Sequence, residues 1–336
     1  MSILSKAICI LLCLSAAAQD FSALGPHTVQ RIEFPDMADP ARKRPVPMRV
    51  HLPKAEAAVP LVLLSHGAGG NLDANFAQAQ HLASHGYVVL VLEHVGSNTA
   101  VMKRGMRFGK NLKDMTRNAD EVLGRPKDIS FAIDQATLWS QSHEQLRGRI
   151  DLSRIGVMGH SYGAYTTLVV TGMRPALDWL TPTVAPGKGL GPDLRDTRID
   201  CGVALSPQGP GEPFFLDASY ASLKVPLLGI SGSRDRQQGA EPSNRRRAFT
   251  LWPAGDKYLL WLANADHLAF SDPSGSGARV FPRRSRADAQ PVARAATLLF
   301  FDAYLKQSPT AKAALTAKSL EPYLRGRVSS LELLKK

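Results

Sequence analysis

Six short stretches of nearly unbroken apolar residues punctuate the chain, at 60–65, 87–92, 155–158, 199–205, 226–231 and 257–263. Their length suits strands buried on both faces, which is how strands of a parallel sheet read. Two earlier segments, 28–34 and 46–52, instead alternate apolar and polar residues, and the turn-rich PDMADPARKRP joins them. They are expected to pair antiparallel at a sheet edge. Between the strands the period changes to that of a helix. Residues 73–85 read as a helix closed by Gly86, and 116–140 as another, with Ala119, Val122, Leu123, Ile129, Ala132, Ile133, Ala136 and Leu138 at helical spacing. Pro126 is expected to break or restart that helix. Helices are also expected from 164 to 170 and from 291 to 306, with a basic helical tail over 310–336. Residues 93–113 read as a basic loop. The Pro- and Gly-rich 172–198 reads as an excursion over the active-site face and a candidate lid.

Strand, helix and strand in succession make βαβ units, so the pattern implies an α/β fold: a mostly parallel central sheet with helices on both faces. No internal repeat or long linker divides the chain, and 19–336 is expected to form one domain. Its 336 residues, 44% of them apolar, suffice for a large core.

The first eighteen residues read as an export signal. Lys6 supplies the positive start, 7–14 the short apolar run, and Ala16-Ala17-Ala18 the small-residue cleavage site before Gln19. That run is too short to span a bilayer, and no later one is longer. Export points to the periplasm or beyond. Cleavage would leave Cys201 as the remaining cysteine, with no internal disulfide to form; it is expected to be a small buried residue. The net charge of +12 includes arginine clusters at 245–247 and at Arg283, Arg284 and Arg286. No aromatic interleaving or nucleic-acid motif accompanies them, so they read as solvated loops rather than a nucleic-acid surface. Nothing in the pattern specifies an oligomeric state.

The chemistry centres on Gly159-His160-Ser161-Tyr162-Gly163, a G-x-S-x-G sequence lying between an apolar strand and a helix. In that context the serine stands on a sharp strand-to-helix turn, its hydroxyl held above the sheet and the next amide aimed at developing negative charge. A serine needs a base, and His267 follows the strand at 257–263. The imidazole needs an acid, and Asp235 follows the strand at 226–231. Asp266 competes for that role but is the histidine's own neighbour. An oxyanion hole needs a second donor besides the Tyr162 amide; the glycine-rich loop at 66–70 offers Ala68 N–H. Gly69, Trp179 and Phe270 are candidate substrate-contacting positions. His160 is expected to pack beneath the turn. His81 and His85 have a spacing that can bind metal, but without a carboxylate or cysteine cluster no metal and no organic cofactor are expected.

With LLSHGAGGN at 63–71, LASHGYVV at 82–89, EHVGSN at 93–98, RPKDISFAIDQ at 125–135, GHSYGAY at 159–165 and GVALSPQG at 202–209, the chain resembles the α/β-hydrolase superfamily. More narrowly, it resembles bacterial dienelactone-hydrolase-related proteins akin to platelet-activating factor acetylhydrolase. The resemblance implies a serine carboxylic-ester hydrolase acting through Ser161, Asp235 and His267, without cofactor, on esters of short or medium acyl chain, with aryl esters and polyesters as variants. Two departures stand out. Dienelactone hydrolases carry cysteine where this chain has Ser161. The animal acetylhydrolases place their acid after the strand that follows the nucleophile helix, where this chain has Ser206; here the acid has moved to Asp235. A serine peptidase, an acyltransferase and a non-catalytic binding protein on the same scaffold are the competing expectations.

Overall fold

The computed structural model describes residues 19–237, 240–271 and 284–336; the expected export signal and Arg283 lie outside them. The alternating segments form β1 (Val29–Phe34) and β4 (Met48–Pro53), paired antiparallel, with the two-residue strands β2 (Ala38–Asp39) and β3 (Arg44–Pro45) in the connection. The apolar runs form β5 (Val59–Ser65), β6 (Val88–Leu92), β7 (Ile150–His160), β8 (Cys201–Leu205), β9 (Leu227–Arg234) and β10 (Lys257–Asp266). With β11 (Leu331–Lys335), they join in a nine-stranded sheet of order β1-β4-β6-β5-β7-β8-β9-β10-β11. Its pairs from β6 through β10 are parallel, and β4 and β11 add antiparallel edges. This is the expected α/β-hydrolase fold.

Strand pleating divides each apolar run between two cores. In β5, Val62 and Leu64 face the layer containing α1 (Phe76–Ser84) and α7 (Arg284–Tyr304), where Phe300 and Phe301 are fully buried. Leu61 and Leu63 face the opposite layer with Ile129 and Ile133 of α4 (Ala119–Ser142). Successive side chains point to opposite faces, so a strand covered on both sides must be apolar throughout. Cys201, at the start of β8, is buried and unpaired as expected.

Several expectations need correction. Residues 93–113 are not a plain loop: they hold α2 (Thr99–Lys103), capped by the Asn98 side chain on Val101 N–H at 3.2 Å, and the start of α3 (Phe108–Arg117). The basic tail contains short helices α8 (Pro309–Ala314) and α9 (Ala317–Leu320), but it ends in β11 rather than a helix. β11 covers the open edge of β10, with Leu331 and Leu333 packing against one core and Leu334 against the other. The 172–198 segment does not cover the Ser161 cavity and contributes no residue to its lining. It packs Leu177 and Leu180 beside α5 (Tyr162–Val170) and exchanges backbone hydrogen bonds between Thr181 and the α3–α4 junction. The three arginines at 245–247 lie on α6 (Pro242–Leu251), not on a solvated loop.

Pro126 does not break α4, and the reason is tertiary. A helical proline leaves the carbonyl four residues earlier without its donor. That carbonyl, Val122 O, accepts the Tyr165 hydroxyl of α5 at 2.9 Å, so the lost bond is replaced across the layer. Tyr165→Phe should therefore cost about 1–3 kcal/mol in urea unfolding by stranding a buried acceptor. Adding Pro126→Ala, which restores the helical donor, should recover part of that loss. Additive effects of the two changes would contradict this account.

Candidate active site

The site is built on strand ends along one edge of the sheet. β7 delivers Ser161 at φ 57° and ψ −116°, a strained conformation for a residue other than glycine, and α5 begins at the next residue. The flanking glycines make the turn possible. A Cβ on Gly163 would overlap the Ser65 carbonyl, and one on Gly159 would lie 2.5 Å from the Gly163 carbonyl carbon. Only bare backbone lets β5, β7 and α5 meet this closely.

β9 runs on to Asp235, and β10 to His267, which opens a single 3₁₀ turn, His267–Phe270. These distant residues meet at hydrogen-bonding distance. His267 Nε2 lies 2.8 Å from Ser161 Oγ, and His267 Nδ1 lies 2.7 Å from Asp235 Oδ1. A carboxylate can only accept, so Nδ1 carries the proton and Nε2 is free to accept the serine's. Asp266 is otherwise engaged: its side chain accepts Leu268 N–H at 3.0 Å and caps the turn.

Asp235 is fully buried. Burial pushes its pKa up, but the Arg245 charge, the His267 hydrogen bond and the Ser231 hydroxyl more than offset this and hold it well below the usual carboxylate range. Arg245 Nε stands 3.1 Å from Asp235 Oδ1 and donates to the Asp235 carbonyl at 2.9 Å. Its Nη1 donates to the carbonyls of Ser206 and Pro207 at 2.9 Å each. Sequence reasoning missed this residue because it sits in a run of three arginines. Successive helical positions point about 100° apart, so the run disperses: Arg245 goes inward, Arg246 pairs with Glu332, and Arg247 with Asp217.

Tyr162 and Ala68 both line the cavity beside Ser161, a space of about 50 Å³. Tyr162 is the first residue of α5, where no helical acceptor exists for its amide. Among the described residues, neither amide has a hydrogen-bond partner within the chain. Gln208, also missed, donates Nε2 to the Ser161 carbonyl at 2.7 Å from its position just past β8. A wider groove of about 630 Å³ shares Thr116, Glu212, Pro213 and Asn244 with this cavity and adds Lys113 and Arg117.

The expected substrate contacts are not drawn together. Phe270 is 1% exposed and belongs to the core beneath α7. Trp179, half-buried in the 172–198 segment, and Gly69, turned toward Met102, do not line the cavity either. Phe214 does. His160 packs under the turn, Nε2 donating to the His267 carbonyl at 2.8 Å; burial first, then the neighbouring His267, pulls its pKa down to about 3. His81 and His85 each donate a ring N–H at 3.0 Å to an N-terminal carbonyl, of Phe21 and Ala23 respectively.

Comparison with known proteins follows these lines. A family model described as platelet-activating factor acetylhydrolase, isoform II, matches residues 22–106, which include the 66–70 loop and end before Ser161. The chain is 23% identical over 220 residues to cutinase est1 of Thermobifida alba, covering 66% of this chain and 57% of that one. It is 26% identical over 225 residues to cutinase 2 of Thermobifida cellulosilytica, covering 67% and 66%. It is 23% identical over 261 residues to the platelet-activating factor acetylhydrolase of Bos taurus, covering 68% and 51%. The aligned region thus spans about half to two thirds of these relatives' length. Their names are those of carboxylic ester hydrolases.

A carboxylate with a depressed pKa stabilises the fold above its unfolded pKa, and that contribution disappears as pH falls. In urea unfolding, the stability advantage of the parent over Asp235→Asn should be constant above about pH 5 and shrink below about pH 4, where an unfolded aspartate takes up its proton. An advantage that grew on acidification would contradict the depressed pKa.

Proposed function

We propose that the protein is a serine carboxylic-ester hydrolase working through an acyl-enzyme intermediate. The observation that carries this reading is the unbroken path from Asp235 through His267 to Ser161 Oγ, ending beside two free backbone amides. Ser161 Oγ attacks the acyl carbon while His267 Nε2 takes its proton, and Asp235 stabilises the resulting imidazolium. Tyr162 N–H and Ala68 N–H hold the oxyanion of the tetrahedral intermediate. His267 returns the proton to the departing alcohol. Water, deprotonated by the same imidazole, then releases the acid and restores Ser161.

The small volume beside Ser161 favours a short acyl group, and the wider groove beyond it, of mixed polar and apolar lining, suits a larger alcohol portion. Likeness to cutinases and to platelet-activating factor acetylhydrolases supports esters as the substrate class, with polymeric and lipid esters both to be tried. The chemistry requires no metal or organic cofactor.

We further propose that the protein is exported. Residues 1–18 support this, and no helix among the described residues is long and apolar enough to cross a membrane.

Ser161→Ala should abolish turnover of a panel of nitrophenyl esters while leaving the unfolding midpoint nearly unchanged, and Asp235→Asn should keep a trace of activity. The panel should favour short acyl chains, run beside a phospholipid and a polyester film. A fluorophosphonate probe should label the parent at Ser161; failure to label, with no ester cleaved, would favour a non-catalytic protein on the same scaffold. Intact mass of the protein recovered outside the cytoplasm should correspond to a chain beginning at Gln19, and an uncleaved mass would refute the export reading.

A further inference from the structure

Arg125, in the RPKDISF stretch of α4, is completely buried, with burial lowering its pKa to about 10, so it remains charged at neutral pH. Among the described residues no carboxylate pairs with it directly. Its guanidinium is instead spent on the two elements that border the cavity. Nη2 donates to the His66 carbonyl and, at 3.1 Å, to Ser65 Oγ; Nη1 donates to Ser97 Oγ at 2.7 Å. The Ser97 carbonyl in turn accepts Gly69 N–H at 2.8 Å. The loop is thus fixed on either side of Ala68, at His66 and at Gly69, leaving the amide between them unengaged. Toward α5, Nε donates to Thr166 Oγ1 at 3.0 Å, and Thr166 Oγ1 donates to the Tyr162 carbonyl at 3.1 Å. The guanidinium carbon also lies 4.2 Å from the centre of the Tyr162 ring.

Behind this fork a chain of hydrogen bonds runs from Ser65 to Asp128. Ser65 Oγ accepts from Arg125 and donates to His94 Nε2 at 2.9 Å, and His94 Nδ1 donates to Asp128 at 2.8 Å. Burial and the Arg125 charge keep His94 neutral, as this direction of donation requires. Arg44 and Arg42 complete the pairing of Asp128.

We propose that Arg125 is a positioning residue for the oxyanion hole, holding the Ala68 loop and the first turn of α5 on one rigid guanidinium so that both amides converge on the same point. This rests on the ester-hydrolase reading. A buried cation is seldom the cheapest way to fill a core, because its desolvation commonly offsets what its contacts return. A planar fork with fixed donor directions can set the relative position of two elements in a way that a flexible ammonium cannot. Donors aimed at the developing oxyanion act mainly on the transition state, so misplacing them lowers kcat more than it raises KM.

The test compares the parent with Arg125→Lys, Ser97→Ala and the near-isosteric Thr166→Val, using a short-chain nitrophenyl ester and a trifluoromethyl ketone that forms a tetrahedral adduct with Ser161. Arg125→Lys should lower kcat about 100-fold, weaken the ketone by a similar factor and leave KM within about threefold. Ser97→Ala and Thr166→Val should each lower kcat and ketone affinity about tenfold, without tracking their melting temperatures. A folded Arg125→Lys with parental kcat and ketone affinity would overturn the proposal. So would a loss confined to KM. Should Arg125→Lys fail to fold, Ser97→Ala and Thr166→Val decide alone: parental ketone affinity in both means that Arg125 is only structural. If the parent itself cleaves no ester and takes up no fluorophosphonate, the ester-hydrolase reading fails first and this inference falls with it.

Discussion

The close crossing of β5, β7 and α5 is the constraint on which the rest of the structure depends. The Gly163 backbone lies against the Ser65 carbonyl with no room for a side chain, and Gly159 lies against Gly163. This contact brings the loop after β5 beside the turn after β7, so Ala68 and Ser161 border one cavity. It also forces Ser161 into a positive-φ conformation that only the surrounding layers can maintain. The local strain is offset by the extensive burial on either face of the sheet, where β5 and β6 are buried along nearly their whole length.

Two buried arginines flank that crossing and do different work. Arg245 joins the strand end that carries Asp235 to the one that carries Ser206, and its charge keeps the Asp235 carboxylate ionised in a site without water contact. Arg125 lies on the other side, beneath the 66–70 loop, and joins it to α5. Neither is evidence of a large contribution to stability, since taking a charge out of water costs much of what its contacts return. Each limits how the loops at this sheet edge can move relative to one another. Ser206, at the end of β8, has φ 57° and is fully buried with no hydrogen-bond partner for its hydroxyl among the described residues. The Ser206 carbonyl accepts from Arg245, which also reaches Asp235 just past the neighbouring strand.

Much of this arrangement was legible in the chain. Unbroken apolar runs announce strands covered on both faces, and the residue after such a run lies at the sheet edge; Ser161, Asp235 and His267 could be singled out on that ground. Glycines two before and two after the serine marked the tight turn. What misled was local reading of residues whose role depends on distant partners. Pro126 signals a helix break unless a hydroxyl from α5 is available to the stranded carbonyl. Phe270 follows His267 closely enough to suggest a pocket wall, yet the 3₁₀ turn directs it into the core. The C-terminal LELLK reads as part of a helical tail until the open edge of β10 is there to pair with it.

By itself, then, the sequence determined the layered α/β architecture, the order of its strands along the chain and the residues that stand at their ends. Each of these follows from periodicity and turn chemistry, which act over a few residues. Only the tertiary structure decided which of three neighbouring arginines meets Asp235, which amides are left unengaged, and how Arg125 spans the 66–70 loop and α5, reaching Thr166 41 residues away in sequence. Those outcomes depend on side-chain direction and on donors meeting acceptors across the sheet. No local pattern encodes such contacts, because each half of the pair is unremarkable until the fold brings the other within 3 Å.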